Sequence, residues 1–290
     1  MGLVLQSVMF GVLAAVGWGI ADFLAAVISK RLGILWTVFG VHIASVAATT
    51  IYLVFALDPT LPSVGQWAAL IGISLLAVVT YLAFYKSLQI GPMAVISPIV
   101  SMYAVVVILL AVLLLGERLS AGQTIGAIGT IVGIVVASTN PRALQRKGTL
   151  IGVGVLFGIL ATLGLGLWQF AIGVLSREIG WFLPIYISRV LTLAYLTPIV
   201  VARRSWPRRQ ASIRLILGVI AVGIVETGGL FAFARGSEVG IISIVAAASI
   251  MYPVIPVLGG LVVFRERLSL TQWSGLLIAL VGLLVLTLTG

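Results

Sequence analysis

The chain has 290 residues, of which 61% are hydrophobic and only 8% are charged, and its formal net charge is +10. A water-soluble domain of this size could not cover its surface with so few polar side chains, so the composition excludes a soluble fold and indicates a membrane protein. The absence of cysteine excludes disulfides, thiolate metal sites and cysteine nucleophiles.

Ten apolar runs follow one another with short connections, and each approaches the length of about 20 residues that a membrane-spanning helix needs. In chain order they are 6–28, 34–56, 65–86, 92–115, 121–139, 149–175, 181–202, 213–235, 240–264 and 270–289. Backbone polar groups in lipid must be satisfied within the segment, so each run predicts a helix. The predicted fold is all-α, with ten transmembrane helices.

The basic residues lie mainly in the loops and indicate the orientation. Loops after the odd-numbered spans contain 13 lysine and arginine residues, and those after the even-numbered spans contain 3. By the positive-inside rule the odd loops face the cytoplasm, which places both termini outside. We therefore predict a multi-pass protein of the cell (inner) membrane. The lipid bilayer explains the positive charge, and no nucleic-acid partner is expected.

The sequence repeats itself. Glu117-Arg118-Leu119-Ser120 recurs as Glu266-Arg267-Leu268-Ser269, and each copy ends a long apolar run. Several residues of the first run, Gly11 and Gly17 among them, reappear 147 positions later as Gly158 and Gly164. The repeat predicts two units, 1–140 and 148–290. Because each has an odd number of helices, the copies must lie in opposite orientations, which is typical of secondary transporters.

The stretches at 114–138 and 261–287 resemble the end of the five-helix EamA repeat, which defines the drug/metabolite transporter superfamily. The Gly-Trp-Gly of 17–19 fits the same pattern. The resemblance covers nearly the whole chain and looks most like the amino-acid exporters of the YddG type. It implies a central cavity lined by helices 1–4 and 6–9, with helices 5 and 10 peripheral.

Two charged side chains fall near the middle of predicted spans, where a charge costs about 2.5–3.5 kcal/mol to insert. Glu226 lies in the span 213–235 and Arg189 in the span 181–202. Glu226 either holds a substrate ammonium or carries a proton, or it forms a structural ion pair with Arg189 or a helix-capping contact. Arg189 either binds a substrate carboxylate through its planar guanidinium, or only pairs with Glu226 or Asp22.

Polar residues of the two halves occupy equivalent positions. The matched pairs are His42 with Arg189, Asp22 with Gln169, Tyr103 with Tyr252, and Lys86 with Arg235. Transporter sites lie near the repeat interface, so we expect these pairs to converge there. Asp22 is either a cavity residue or an interfacial partner of a basic loop. His42, the only histidine, more often indicates packing than a proton relay, and we expect no metal and no cofactor.

Six aromatic residues lie inside spans, away from the interfaces where aromatic belts form. They are Trp18, Tyr81, Tyr85, Tyr103, Trp168 and Tyr252. Either they line the cavity, or some are lipid-facing or core filler. Prolines interrupt spans 4 and 9, with Pro98 beside Ser97 and Ser101 in the first and Pro253 and Pro256 in the second. Paired interruptions in corresponding helices indicate a transport site and hinges, although a static kink is the alternative.

The candidate substrate-binding residues are Trp18, His42, Tyr81, Tyr85, Ser97, Ser101, Tyr103, Trp168, Gln169, Arg189, Glu226 and Tyr252, with hinges at Pro98, Pro253 and Pro256. The duplicated Glu-Arg motif lies at helix ends, and we assign it to structure. We predict a monomeric secondary transporter that exports small metabolites, namely amino acids with apolar or aromatic side chains, by alternating access. The alternative is proton-coupled efflux of hydrophobic cations. A membrane enzyme is disfavoured, because no catalytic motif is found.

Overall fold

The computed structural model describes residues 2–55, 61–90, 96, 99–138, 148–203, 212–255 and 269–289. All regular structure in these residues is helical. The helices are α1 (Leu3–Leu32), α2 (Ile34–Phe55), α3 (Val64–Ile90), α4 (Tyr103–Leu115), α5 (Ala121–Ser138), α6 (Gly148–Ile179), α7 (Phe182–Ala202), α8 (Ile213–Val239), α9 (Ile242–Ser249) and α10 (Leu270–Leu288).

These ten helices correspond one to one with the ten predicted spans. Seven of them, namely α1, α2, α3, α6, α7, α8 and α10, are long and apolar enough to cross a membrane. The helices α4, α5 and α9 are shorter. For α4 and α9, the rest of each predicted span includes residues outside the described ranges.

The repeated serine and glutamine residues begin equivalent helices. The Ser120 amide donates to Gln123 Oε1 at 2.8 Å, and the Gln123 amide donates to Ser120 Oγ at 3.1 Å. Ser269 and Gln272 form the same reciprocal pair at the start of α10. Such a capping box satisfies backbone donors that a helix start leaves free. The duplicated motif therefore fixes where α5 and α10 begin.

Spans 4 and 9 are interrupted at equivalent positions. In the first half a turn at Met102 precedes α4, and in the second half the turn at residues 250–253 follows α9. The predicted hinge Pro253 lies in this second turn and is buried. Pro98, Pro256 and the candidate residue Ser97 lie outside the described residues.

Helices of one half pack mainly on helices of the other. The largest contacts join α5 to α10, α1 to α8 and α3 to α6. A Cβ at Gly126 would meet Leu286, whereas one at Gly133 would meet Ala279, so α5 and α10 run antiparallel with their glycines at the contact. Such small residues let helices in membranes approach closely. The α1–α8 contact has its counterpart in the α3–α6 contact, because α6 is equivalent to α1 in the repeat and α3 is equivalent to α8.

Candidate functional site

A central cavity lies between the two halves and encloses about 590 Å³ of space, including its open mouth. Its lining residues come from α1, α3, α4, α6 and α8 and from the segments beside α4 and α9. They are Trp18, Ala21, Asp22, Tyr81, Phe84, Tyr85, Val100, Tyr103, Leu165, Trp168, Gln169, Val222, Glu226, Leu230 and Tyr252. The mixture of aromatic and polar groups is typical of a small-molecule site.

Glu226 is the centre of a buried polar network on one side of the cavity. Its Oε1 forms a salt bridge with Arg189 Nη2 and accepts a hydrogen bond from the Tyr81 hydroxyl at 2.8 Å. The Arg189 Nη1 lies 3.0 Å from Nε2 of His42. This network joins α2, α3, α7 and α8. The carboxylate that the sequence placed in mid-membrane is therefore paired and hydrogen-bonded, as buried charges must be.

Arg189 and His42 do not line the cavity. Arg189 is only 1% exposed, and its guanidinium lies 5.5 Å from the Tyr81 ring centre and 5.9 Å from that of Trp168. The two aromatic residues line the cavity, whereas the cation stands behind them. The geometry favours the ion-pair interpretation of Arg189 over direct capture of a substrate carboxylate. It likewise differs from the expectation that helices 2 and 7 line the cavity.

The equivalent polar residues of the two halves meet as expected. His42 contacts Arg189, and the Tyr103 and Tyr252 rings lie 6.2 Å apart. Asp22 and Gln169 both line the cavity. Each matched pair thus shares either a direct contact or a place in the lining, except Lys86 and Arg235.

Three side chains of the cavity lining have oxygen atoms without a partner among the residues that the structure describes. Asp22 forms no hydrogen bond or ion pair with any residue that the structure describes. Among those same residues, neither Gln169 Oε1 nor Glu226 Oε2 finds a hydrogen-bond partner, although both atoms are buried. Buried polar atoms without partners are rare in proteins and call for an explanation.

Aromatic rings form most of the remaining surface. The Trp18 ring packs edge-on against Tyr103, with centroids 6.1 Å apart, and the Tyr81 and Trp168 centroids are 6.4 Å apart. Hydrogen bonds fix two of these rings: the Tyr103 hydroxyl lies 2.8 Å from Ser249 Oγ, and Trp168 Nε1 donates to Ser188 Oγ at 3.2 Å. The six predicted aromatic residues all belong to the lining.

The lining includes Asp22 and Phe84, which are not among the predicted substrate-binding residues, whereas the predicted residue Ser101 does not line the cavity. The sequence prediction left Asp22 between two roles and did not include Phe84, although Phe84 lies between Tyr81 and Tyr85 on the same helix. The equivalence of Asp22 and Gln169 was the signal that favoured a cavity role. Ser101 is buried behind the lining, where its hydroxyl lies 3.5 Å from the Tyr252 hydroxyl.

A second, larger cleft of about 1230 Å³ lies between α2 and α8. Its lining is apolar apart from the indole nitrogen of Trp36 and contains no charged side chain among the described residues. A cleft of this kind in a membrane protein offers acyl chains a surface but offers a polar substrate no recognition. The central cavity is therefore the candidate site. The described part of the chain also contains no cluster of histidine and carboxylate groups that could hold a metal ion.

Comparisons with known proteins agree with this architecture. Residues 5–139 match the model of the EamA-like transporter family. No curated protein matches the chain. A solved crystal structure is similar over 98% of this chain and 99% of that chain, with a TM-score of 0.82 and 16% sequence identity, which establishes a shared fold only. Members of the matched family are integral membrane proteins that transport small molecules and are not enzymes. The first predicted unit, residues 1–140, is therefore matched almost entirely by the EamA-like transporter family.

Proposed function

We propose that the protein exports small molecules that combine an amine with an apolar or aromatic body, and that amino acids with such side chains are its first class of substrate. The observation that carries this proposal is the Asp22 carboxylate, which has no partner among the described residues and lies in a cavity lined with aromatic rings. A carboxylate and aromatic faces together recognise an organic ammonium group.

The two acidic residues of the cavity have different roles in this proposal. Glu226 already pairs with Arg189 and accepts from Tyr81, so its charge is largely balanced within the protein. Asp22 has no such partner within the described ranges and remains available for the substrate ammonium. Arg189 acts as a positioning residue that holds Glu226 at the cavity surface. This assignment revises the expectation that Arg189 takes the substrate carboxylate and Glu226 the amine.

A substrate carboxylate would have neutral donors to bind. The tyrosine hydroxyls of Tyr85 and Tyr252 and the side-chain amide of Gln169 lie in the same lining. Neutral donors are weaker partners for a carboxylate than arginine is, but several of them together can hold it. Aromatic rings such as Trp18 would pack against the apolar side chain. These contacts support amino acids as the first substrate class.

Hydrophobic amines without a carboxylate are the second candidate class. The specific observation in their favour is that no lysine or arginine lines the cavity in the part of the chain that the structure describes. Because Arg189 balances Glu226, an ionised Asp22 would leave the cavity with an excess of negative charge. Such a site attracts a cation more strongly than a zwitterion.

We further propose that transport proceeds by alternating access between two inverted repeats, 1–140 and 148–290. Three observations support this mechanism. The equivalent helices α5 and α10 run antiparallel, and the α1–α8 contact has an equivalent in the α3–α6 contact. Spans 4 and 9 are also interrupted at equivalent positions. Rocking of one unit against the other around a central cavity is the usual motion of such architectures.

The substrate proposal can be tested by exchange in proteoliposomes with three related indole compounds. Tryptophan has an amine and a carboxylate, tryptamine has only the amine, and indole-3-propionate has only the carboxylate. Tryptophan and tryptamine are expected to exchange, and indole-3-propionate is not. The Asp22→Asn variant is expected to reduce exchange of both amines at least about tenfold, equivalent to about 1.4 kcal/mol. Glu238→Gln, a carboxylate outside the cavity, is the matched control.

The outcomes separate the alternatives. Exchange of tryptamine with none of tryptophan would assign the protein to the second class. Exchange of indole-3-propionate as efficient as that of tryptamine, or an Asp22→Asn variant as active as Glu238→Gln, would overturn the role of Asp22. A broad panel of amines and amino acids that gives no more flux than empty vesicles would overturn the function itself.

We propose that the protein lies in the cell (inner) membrane with both termini outside, on the basis of the loop charges. Because the chain has no cysteine, single cysteines report topology without background. Leu61→Cys and Leu270→Cys place labels at exposed positions at opposite ends of the bundle. In intact cells an impermeant thiol reagent should label the first and spare the second, and the reverse pattern would contradict this orientation.

A further inference from the structure

The first copy of the duplicated Glu-Arg motif forms the most connected polar cluster at one end of the bundle. Glu117 Oε1 forms a salt bridge with Arg177 at 2.8 Å and accepts the Ile242 amide at 3.1 Å. Its Oε2 accepts the Ser243 amide at 3.0 Å and also the Ser243 hydroxyl. One carboxylate therefore satisfies donors at the start of α9 and a cation on α6 at the same time.

Arg177 extends this cluster to the end of α8. Its Nε donates to the Ser237 carbonyl at 2.9 Å, and its Nη2 donates to the Gly240 carbonyl at 2.9 Å. We call this set the Glu117 cluster; its members are Glu117, Arg177, Ser237, Gly240, Ile242 and Ser243. The cluster joins the α4–α5 connection of the first half to α6, α8 and α9 of the second half. It is thus a cross-link between the two proposed repeats.

The cluster lies at the end of the bundle where α1 begins and α10 ends, which we call the terminal end. Ser7 of α1 accepts the Ile241 amide at 2.9 Å, and the Ser120 hydroxyl donates to the Thr289 carbonyl at 3.3 Å. Both contacts join segments next to the cluster to the first and last helices. Several polar contacts at this end therefore cross from one half of the chain to the other.

The bundle is filled between the cavity and the terminal end. On α1 the lining begins at Trp18, and Ala14, one turn nearer the terminal end, is fully buried. On α8 the lining ends at Leu230, and Phe233 beyond it is fully buried. On α3 the lining begins at Tyr81 and continues away from the terminal end. The cavity is therefore closed on the side of the Glu117 cluster.

We infer that Glu117 and Arg177 act in the transport cycle as the gate of the terminal end. The contacts of Glu117 hold Arg177 of α6 and the start of α9 against the α4–α5 connection, and separation of the two halves at this end must break them. The cluster therefore stabilises the state in which the terminal end is closed. This inference rests on the proposed alternating access, but not on the identity of the substrate.

The inference can be tested by the access of a thiol reagent to a cysteine in the cavity. Leu165→Cys places the single thiol of the chain on the lining of α6. An impermeant anionic methanethiosulfonate is applied to the terminal end in oriented vesicles, and the labelling rate is measured with and without Glu117→Gln. The rate from the terminal end is expected to rise about tenfold, as for the loss of one charge-assisted hydrogen bond.

Two further variants make the result specific. Ser243→Ala removes one hydroxyl from the cluster and leaves the backbone intact, so it should raise the rate in the same direction by a smaller factor. Arg235→Gln breaks the Arg235–Glu238 pair, which lies within α8 and does not join the two halves, and it is the matched control. Access from the opposite end should not rise in any of these variants.

The gate assignment is overturned if the thiol at position 165 is labelled no faster in Glu117→Gln than in Arg235→Gln. It is also overturned if the labelling rate rises equally from both ends, as it would in a loosened fold. If Glu117→Gln does not assemble, the same comparison is made with Ser243→Ala, and a rate no faster than that of Arg235→Gln overturns the assignment. The labelling uses no transported compound. A vesicle assay without amine flux but with faster labelling would therefore contradict the substrate proposal and retain the gate.

Discussion

Replacement of Arg189 by methionine should be one of the most damaging single changes within the described residues, because it leaves the Glu226 carboxylate buried without its cation. Methionine keeps a long apolar stem and loses only the guanidinium. The variant therefore tests the charge pair with little change in packing. The informative comparison is with the double variant Arg189→Met/Glu226→Gln, in which neither charge is present.

The structure sets the expected magnitude. Arg189 is 1% exposed, and the Glu226 side chain is 12% exposed, so water screens the pair very little. Breaking such a buried pair by removing one partner costs about 3–5 kcal/mol. The two ring contacts of the guanidinium add about 0.5–1 kcal/mol each. The Arg235–Glu238 pair, with side-chain exposures of 45% and 24%, should contribute only about 0.2–0.5 kcal/mol, because it is solvent-screened.

Thermal unfolding of the purified protein in detergent measures this difference. Arg189→Met is expected to lower the apparent Tm by on the order of 10 °C, and Arg235→Gln by about 2 °C or less. The double variant should recover at least about 1 kcal/mol relative to the sum of the single changes, since a buried pair replaced by neutral groups is often tolerated. An Arg189→Met protein as stable as Arg235→Gln, or strictly additive variants, would refute the buried-pair argument.

Two further changes test packing and hydrogen bonding. Gly133→Ala should destabilise the protein by about 1–3 kcal/mol, because the new Cβ would clash with the Ala279 backbone. Gly72→Ala, whose Cβ would lie in open space, should be neutral or stabilising. Thermal unfolding compares the two variants. Tyr81→Phe should lower stability by about 1.5–3 kcal/mol through the lost bond to Glu226, and a variant as stable as the parent in the same measurement would show that water replaces the hydroxyl.

The sequence predicted the helices well because lipid imposes a simple rule on them. A segment that spans the bilayer must be long, apolar and helical, and each of the ten runs meets the requirement of length and composition. The internal repeat then predicted which residues would meet. His42 and Arg189 came into contact, as did Tyr103 and Tyr252, because residues at equivalent positions of related units can lie beside the axis that relates them.

Which face a side chain occupies was harder to predict. In a soluble helix the apolar stripe marks the buried face, but in a membrane both the lipid and the protein interior are apolar, so the periodic signal is lost. For this reason Arg189 could be placed at mid-membrane but not behind Tyr81 and Trp168. For the same reason Asp22 remained between a cavity role and an interfacial one, until the packing of α1 against α8 fixed the direction of its side chain.

The long-range contacts of Glu117 were not predicted, for a different reason. The repeated motif predicted a helix end, and the capping box at Ser120 agrees with that interpretation. The sequence offers no sign that Glu117 contacts Arg177 and Ser243, which lie 60 and 126 positions further along the chain. Contacts between distant segments depend on how the helices pack. A carboxylate at a helix end has the same sequence pattern whether it bonds to its own helix or to the other half of the chain.

The two halves do not have the same charged residues around the cavity, and this difference affects the energies of the proposed transport cycle. If the two halves exchange conformations, identical lining residues would give the inward and outward states similar energies. Here Glu226 corresponds to Ala77, which is buried, and Asp22 corresponds to the neutral Gln169. The Arg189–Glu226 pair therefore holds α7 to α8 with no equivalent between α2 and α3. Under the proposed alternating access, rocking would separate unequal contacts on the two sides of the cavity, so the two states should differ in energy. The state that the structure shows is the one closed at the terminal end.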